Sequence, residues 1–294
     1  MKHTILGAIC LSLAASIWGG MYVVSKYVLD FIPPLTLVWL RFIIAFVVLY
    51  GILKLAEKKQ KKKVTIRKKD WLLFAWIGFI GYFISITCQF IGTKLSDAHT
   101  GSLVTSATPA FMVIFAALIL KEKLSARRLL STILATIGVI IVIGWDIEIG
   151  SYFIGTIILV GAAITWALLS IYVKIASIQF SSLVITTYAI FFSLFFITPF
   201  MIWELQTSSI GTVNTYVIFG VLYLGIVSTA GAFFLWNKGL ELIDASIGSL
   251  FFFFQPIVGS LLGWLLLNET LNSNFFIGGI LIICSVFITT FEKK

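Results

Sequence analysis

"DAHTGSLVTSATP", residues 97–109, returns as "DASIGSLFFFFQP" at residues 244–256. At a spacing of 147 residues Asp97 meets Asp244, Ala98 meets Ala245, Gly101 meets Gly248, Ser102 meets Ser249, Leu103 meets Leu250 and Pro109 meets Pro256. The same spacing carries Gly92 onto Gly239, Leu95 onto Leu242, Glu122 onto Glu269 and Leu124 onto Leu271. At 148, Trp18 meets Trp166 and Lys26 meets Lys174. Half of a 294-residue chain is 147, so the chain reads as a duplication of two units, 1–147 and 148–294.

Each copy of that stretch runs into an apolar segment, and such segments recur to the end of the chain. Hydrophobic residues make up 60% of the sequence and charged residues 11%, with a mean hydropathy of +1.09. The charged share is less than half that of a typical soluble domain. An all-α integral membrane protein fits. A helix needs about 20 apolar residues to cross the bilayer, and ten runs qualify: about 5–24, 35–53, 71–91, 98–120, 127–145, 152–173, 183–203, 213–236, 245–267 and 275–291. The first is too long for a signal-peptide core and lacks a cleavage site, so it reads as a retained helix.

Five runs per copy is an odd number, so the second copy enters the membrane upside down. Charge agrees. Nine of the 21 basic residues lie in "KLAEKKQKKKVTIRKKD", residues 54–70, whose counterpart around "WELQTSSIGTVN" has no Lys or Arg. Lys121, Lys123 and Arg127 likewise correspond to Asn268, Thr270 and Asn274. Eighteen basic residues fall on the side shared by both termini, which the positive-inside rule makes cytoplasmic; Lys26, Arg41 and Lys94 fall elsewhere. The net charge of +9 is therefore topological and lipid-facing, and no folded basic domain points to nucleic acid. The expected architecture is ten transmembrane helices in a 5+5 inverted repeat. Such repeats place a solute site near midplane and work by alternating access.

"SIWGGMYVVSKYV" with "PPLTLVWLRF", then "DAHTGSLVTSATPAFMVIFAALILKEKLS", and the second copy's Pro256 followed by "LLLNETL", resemble the EamA-type members of the drug/metabolite transporter superfamily. The likeness covers essentially the whole chain. It implies a central cavity from which the fifth and tenth spans stand away, and a small-molecule cargo. Family members export amino acids and other small metabolites. Two departures are His99, where a small or aliphatic residue is usual, and the aromatic "FFFFQP".

Candidate pathway residues follow from helical spacing. His99, Ser102, Thr105, Ser106 and Pro109 fall on one stripe of the fourth run. Such hydroxyls also bond back to their own helix or let helices pack closely, but a whole stripe suits a wet cavity. Pro109 frees the carbonyl near Thr105, and Pro256 the one near Phe252, so both mark kinks. The matching wall carries Phe252, Phe253 and Gln255. Trp18, Tyr22 and Lys26 line one face of the first run, with Trp166 as the counterpart of Trp18. Tyr82, Ser85 and Gln89 share a face of the third, and Thr229, Trp236 and Asn237 belong to the eighth.

Arg41 lies about seven residues into the second run. Charges at such depth are costly and mark pathways; a snorkelling or structural role, a substrate carboxylate or phosphate site, and gating all stand for it. Lys26 is nearer the surface, where it can snorkel. Asp97 and Asp244 suit helix caps. His99 could titrate at a span mouth, so proton coupling stays open, as does a homodimer. Gly259 and Gly263 form a packing motif. The three cysteines show neither metal spacing nor a disulfide framework, and no enzyme motif, metal site or cofactor motif is present. A neutral or zwitterionic amino acid is the preferred cargo, with a polyspecific drug or other organic-solute exporter as the alternative. A bacterial cell membrane is the expected location.

Overall fold

The computed structural model describes residues 2–60, 65–121, 150–243, 245–268 and 273–290, with scattered positions between 126 and 141. The described chain is helical, without strands. The helices are α1 (Lys2–Leu29), α2 (Pro34–Gln60), α3 (Lys68–Leu95), α4 (Ala98–Thr105), α5 (Thr108–Ile119), α6 (Ser151–Ala176), α7 (Ser182–Thr207), α8 (Thr215–Leu242), α9 (Phe254–Leu267) and α10 (Ser273–Thr290). Seven segments are long and apolar enough to cross a membrane, with α4 and α5 counting as one, and α9 is a shorter apolar helix. Most of the expected fifth run, 127–145, lies outside the described residues.

The exterior identifies the solvent. Phe195 and Ile178 are 72% and 82% exposed, whereas Arg41, Thr100, Ser170, Thr186 and Ser228 are at 0%. Large apolar groups outside and hydroxyls inside invert the water-soluble pattern and match a bundle surrounded by lipid. The three cysteines, read from their apolar runs as small buried groups, differ in burial: Cys10 is buried, Cys88 partly so and Cys284 exposed.

Helix ends are set by local caps. Asp97 accepts from the Thr100 amide at 2.7 Å and starts α4. Asn214 accepts from Val217 N at 2.9 Å and starts α8. Pro34 opens α2, where a missing N–H costs nothing. The next two amides are held from the other half of the chain. Glu204 accepts from Leu35 N at 3.0 Å, Thr36 N at 2.7 Å and Thr36 Oγ1 at 2.8 Å. A buried carboxylate at a helix N-terminus gains from both the hydrogen bonds and the dipole. Glu204→Ala should therefore lower stability by about 2–4 kcal/mol, read as detergent-solubilised thermal unfolding; a change matching an exposed control substitution would refute the cap.

Several features repeat at, or within about two residues of, the spacing read from the sequence. A π-helical segment occupies Gly78–Ser85 of α3, and another occupies Tyr223–Gly231 of α8. Lys121 after α5 and Asn268 after α9, 147 residues apart, have φ of 56° and 53°, the left-handed conformation that ends helices. The chain breaks helix at 106–107 between α4 and α5, and turns to 3₁₀ at Ser249–Phe253 before α9. Close crossings repeat too. Gly7 and Leu11 of α1 press on Gly239 and Leu242 of α8, as Gly155 and Leu159 of α6 press on Gly92 and Leu95 of α3.

Lys26 requires a correction. Helix α1 continues past the expected end of the first run to Leu29, with Lys26 in its last turn. Its Nζ donates to the carbonyls of Thr93, Lys94 and Ser96 at 3.2, 3.1 and 2.6 Å. Lys174 donates to those of Leu240 and Ile243 at 2.8 and 3.0 Å. Each lysine satisfies orphan carbonyls at a neighbouring helix's C-terminus instead of snorkelling to water. A count of apolar residues marks hydrocarbon depth and not helix ends, which is why the boundary differs.

Candidate substrate cavity

Helices α1, α3, α4, α5, α6, α8 and the 3₁₀–α9 segment converge on a small space between them. Trp18, Trp166, Phe233 and Phe252 form an aromatic wall, and Gln89, Thr105, Thr108 and Gln255 a polar one, with Ile86 and Ala162 between them. The space that water centres can reach is about 20 Å³, enough for a water or two. Ligand pockets run to roughly 300 Å³ or more, so this form is closed.

The polar wall is one connected network. Thr105 Oγ1 donates to the Gly101 carbonyl at 2.7 Å, so its lone pairs face outward. They receive Tyr22 OH at 2.7 Å and Gln255 Nε2 at 2.6 Å. Gln89 Nε2 donates to Tyr22 OH at 2.5 Å. Tyr22 is fully buried and Gln255 2% exposed, so each bond replaces an otherwise costly orphan group. The Thr105 carbonyl, deprived of its helical partner by Pro109, takes the Thr108 hydroxyl at 2.6 Å.

The aromatic wall interlocks around Trp18. Its ring centroid is 5.2 Å from Trp166, 5.3 Å from Trp236, 5.9 Å from Phe233 and 6.1 Å from Phe252, within the range of favourable ring pairs. Trp18 Nε1 donates to the Ser228 carbonyl at 3.1 Å, inside the π segment of α8. Among the described residues, Trp166 Nε1, Trp236 Nε1 and Gln89 Oε1 are buried without a partner. Two of these three, Trp166 and Gln89, belong to residues lining the cavity. Unpaired buried polar groups of this kind call for an explanation; the hydroxyls of Thr87, Thr93 and Ser193, away from the lining, are unpartnered too.

Other sequence candidates lie outside the lining. Ser102 packs against Gly259, and Gly19 meets Gly259 at the same crossing. Ser106 bonds back to the Leu103 carbonyl at 2.6 Å. Ser85 donates to the Ala162 carbonyl at 2.8 Å. Asn237 donates to Tyr82 OH at 3.0 Å and Thr186 Oγ1 at 2.8 Å. Arg41 donates to Thr229 and Ser228. Pro109 lies in the first turn of α5 and Pro256 in that of α9. The side chains of His99 and Phe253 lie outside the described residues. Among the described residues no cluster of His, Cys, Asp or Glu could hold a metal.

Sequence reading missed Ile86, Thr108, Ala162 and Phe233. Each had a signal: Ile86 and Phe233 stand one turn before Gln89 and Trp236, Ala162 one turn before Trp166, and Thr108 pairs with Gln255 at the 147 spacing.

A multi-pass helical membrane protein built from a repeated unit around a closed polar–aromatic cavity is a solute transporter by class. Comparison with known proteins names the family: residues 5–144 and again 153–291 match the EamA-like transporter family. The chain belongs to that family, and it is a transporter rather than an enzyme. It is 28% identical to the uncharacterized transporter YetK of Bacillus subtilis over 97% of this chain and 87% of the relative. It is 26% identical to a protein of Escherichia coli K12 named "Probable amino-acid metabolite efflux pump", over 96% and 94%. A crystal structure 20% identical in sequence superposes with a TM-score of 0.69 over 97% of this chain and 96% of that one, the same fold.

Proposed function

We propose that this transporter exports a neutral or zwitterionic amino acid across the bacterial cell membrane by alternating access between two inverted halves, 1–147 and 148–294. Both termini are cytoplasmic and ten spans cross the bilayer. The observation that carries this reading is the closed cavity with one hydrogen-bonding wall and one aromatic wall, which suits a small amphipathic solute. The π segments, the left-handed helix ends and the lysine–carbonyl ties that recur in each half support a common unit used twice. The Escherichia coli relative's printed name supports the cargo class.

A second reading, export of assorted lipophilic compounds, is favoured by the aromatic wall alone. Lipophilic cations would call for an acid near the cavity, and among the described lining residues there is none.

Efflux from proteoliposomes loaded with a labelled amino-acid panel, with and without an imposed pH gradient, tests the proposal. Selective movement of one or a few amino acids is the expected result, and acceleration by the gradient would establish proton coupling. Movement of lipophilic dyes with no amino-acid flux above empty liposomes would overturn it.

A further inference from the structure

Arg41 carries a charge that nothing described around it balances. It is buried at 0% exposure, and its hydrogen-bond partners are all neutral. Nε donates to Thr229 Oγ1 at 2.6 Å, one terminal nitrogen to Ser228 Oγ at 3.3 Å, and the other leans on Met21 Sδ at 3.5 Å. A guanidinium has five N–H donors, so each terminal nitrogen keeps one to spare. Among the described residues no ion pair includes Arg41. The rings of Phe90 and Phe233, 4.7 and 5.8 Å from its central carbon, offer attraction weaker than the desolvation cost of a buried ion.

Its position gives the charge a use. Phe233, on which the guanidinium rests, also lines the central cavity. Ser228, whose hydroxyl takes one Arg41 N–H, gives its carbonyl to Trp18, another lining residue. Arg41 therefore stands one side chain behind the cavity wall. The closed cavity holds only a water or two, so any cargo has to displace part of that wall. Movement of Phe233 uncovers a cation with free donors on both terminal nitrogens, the arrangement that a carboxylate accepts in bidentate fashion.

We propose that Arg41 is the carboxylate-recognition site for the cargo, while the aromatic wall holds the cargo's apolar body. This deepens the amino-acid reading above and rests on it. The cargo supplies the counter-ion that is absent among the described residues, so the loaded state is the one in which the Arg41 charge is balanced.

The test is equilibrium binding to the purified full-length protein of four probes: phenylalanine, its methyl ester, phenethylamine and phenylpropionate. The wild type should bind the two carboxylates about tenfold or more tightly than the ester or the amine. Arg41→Gln should erase that preference by weakening the carboxylates while leaving the ester within about threefold, and Arg41→Lys should keep part of it. Equal binding of acid and ester by the wild type, or binding of none of the four, overturns the proposal, and neither result requires that a variant fold. Equal weakening of acid and ester in Arg41→Gln also overturns it, because Arg41 would then only position α8. Phenylpropionate binding as tightly as phenylalanine would retire the amino-acid reading and leave Arg41 in place. Phenethylamine matching phenylalanine would retire the Arg41 assignment alone.

Discussion

Gly19→Val should leave almost no folded protein in the membrane fraction. A Cβ at Gly19 would stand 2.6 Å from the Gln255 carbonyl oxygen, 2.7 Å from Val258 Cβ and 2.9 Å from the Gly259 nitrogen. Two of those three atoms are backbone, so no rotamer change relieves the clash. The crossing is also crowded from behind, because Gly259 would meet Ser102 Cβ at 2.6 Å. Separating α1 from α9 pulls Tyr22 away from Gln255, and Trp18 away from Phe252. Overpacking a rigid contact costs about 1–3 kcal/mol and more where backbones must part, so the loss here should exceed about 3 kcal/mol. Gly51→Val is the control, since no described atom lies within 4 Å of a Cβ placed there. Fluorescence-detected size exclusion and thermal unfolding of both variants decide the matter. Equal yields would mean that the crossing is looser than its geometry.

The Gly19 crossing also shows what was legible in the sequence. The repeat announced itself through Asp97, Gly101 and Pro109 and their partners, residues whose backbone roles leave little choice of side chain. Trp18, Gln89, Trp166 and Gln255 could be picked for the cavity because amides and indoles inside apolar runs need partners, and Thr105 and Phe252 because of their places on the helical stripes. Ser102 and Ser106 could not be sorted from Thr105 by spacing. The helix breaks at 106–107, and that break changes which neighbour on the stripe looks inward. The π segments were invisible: "GFIGYFIS" and "YLGIVSTAG" carry no proline, and one extra residue in a turn leaves composition untouched. Lys26 was read as snorkelling because hydropathy records the cost of an ammonium group and not the three carbonyls waiting for it.

The equivalence of the two halves makes its sharpest prediction where it fails. Trp18 and Trp166 occupy matching positions, with rings 5.2 Å apart, yet only the Trp18 indole is hydrogen-bonded among the described residues. Trp18→Ala should lower stability by about 3–5 kcal/mol, the usual cost of emptying a large aromatic site. It also strips the Ser228 carbonyl of its donor inside the π segment of α8. That loosening reaches Arg41, which bonds the Ser228 hydroxyl. Trp166→Phe should behave differently. It removes an N–H buried without a partner, whose desolvation costs about 1–3 kcal/mol, and keeps most of the ring. Stability should then hold or rise by about 1 kcal/mol, the lost ring area offsetting part of the gain. Transport should fall about tenfold, since a site built to hydrogen-bond its cargo suffers when a donor is lost. Thermal unfolding and proteoliposome efflux on the same preparations separate the two effects. If Trp166→Phe is destabilised and its transport falls only in proportion to folded protein, the free indole N–H is a packing accident. If it stays folded while transport drops, the unpaired group in the closed cavity is held for the cargo.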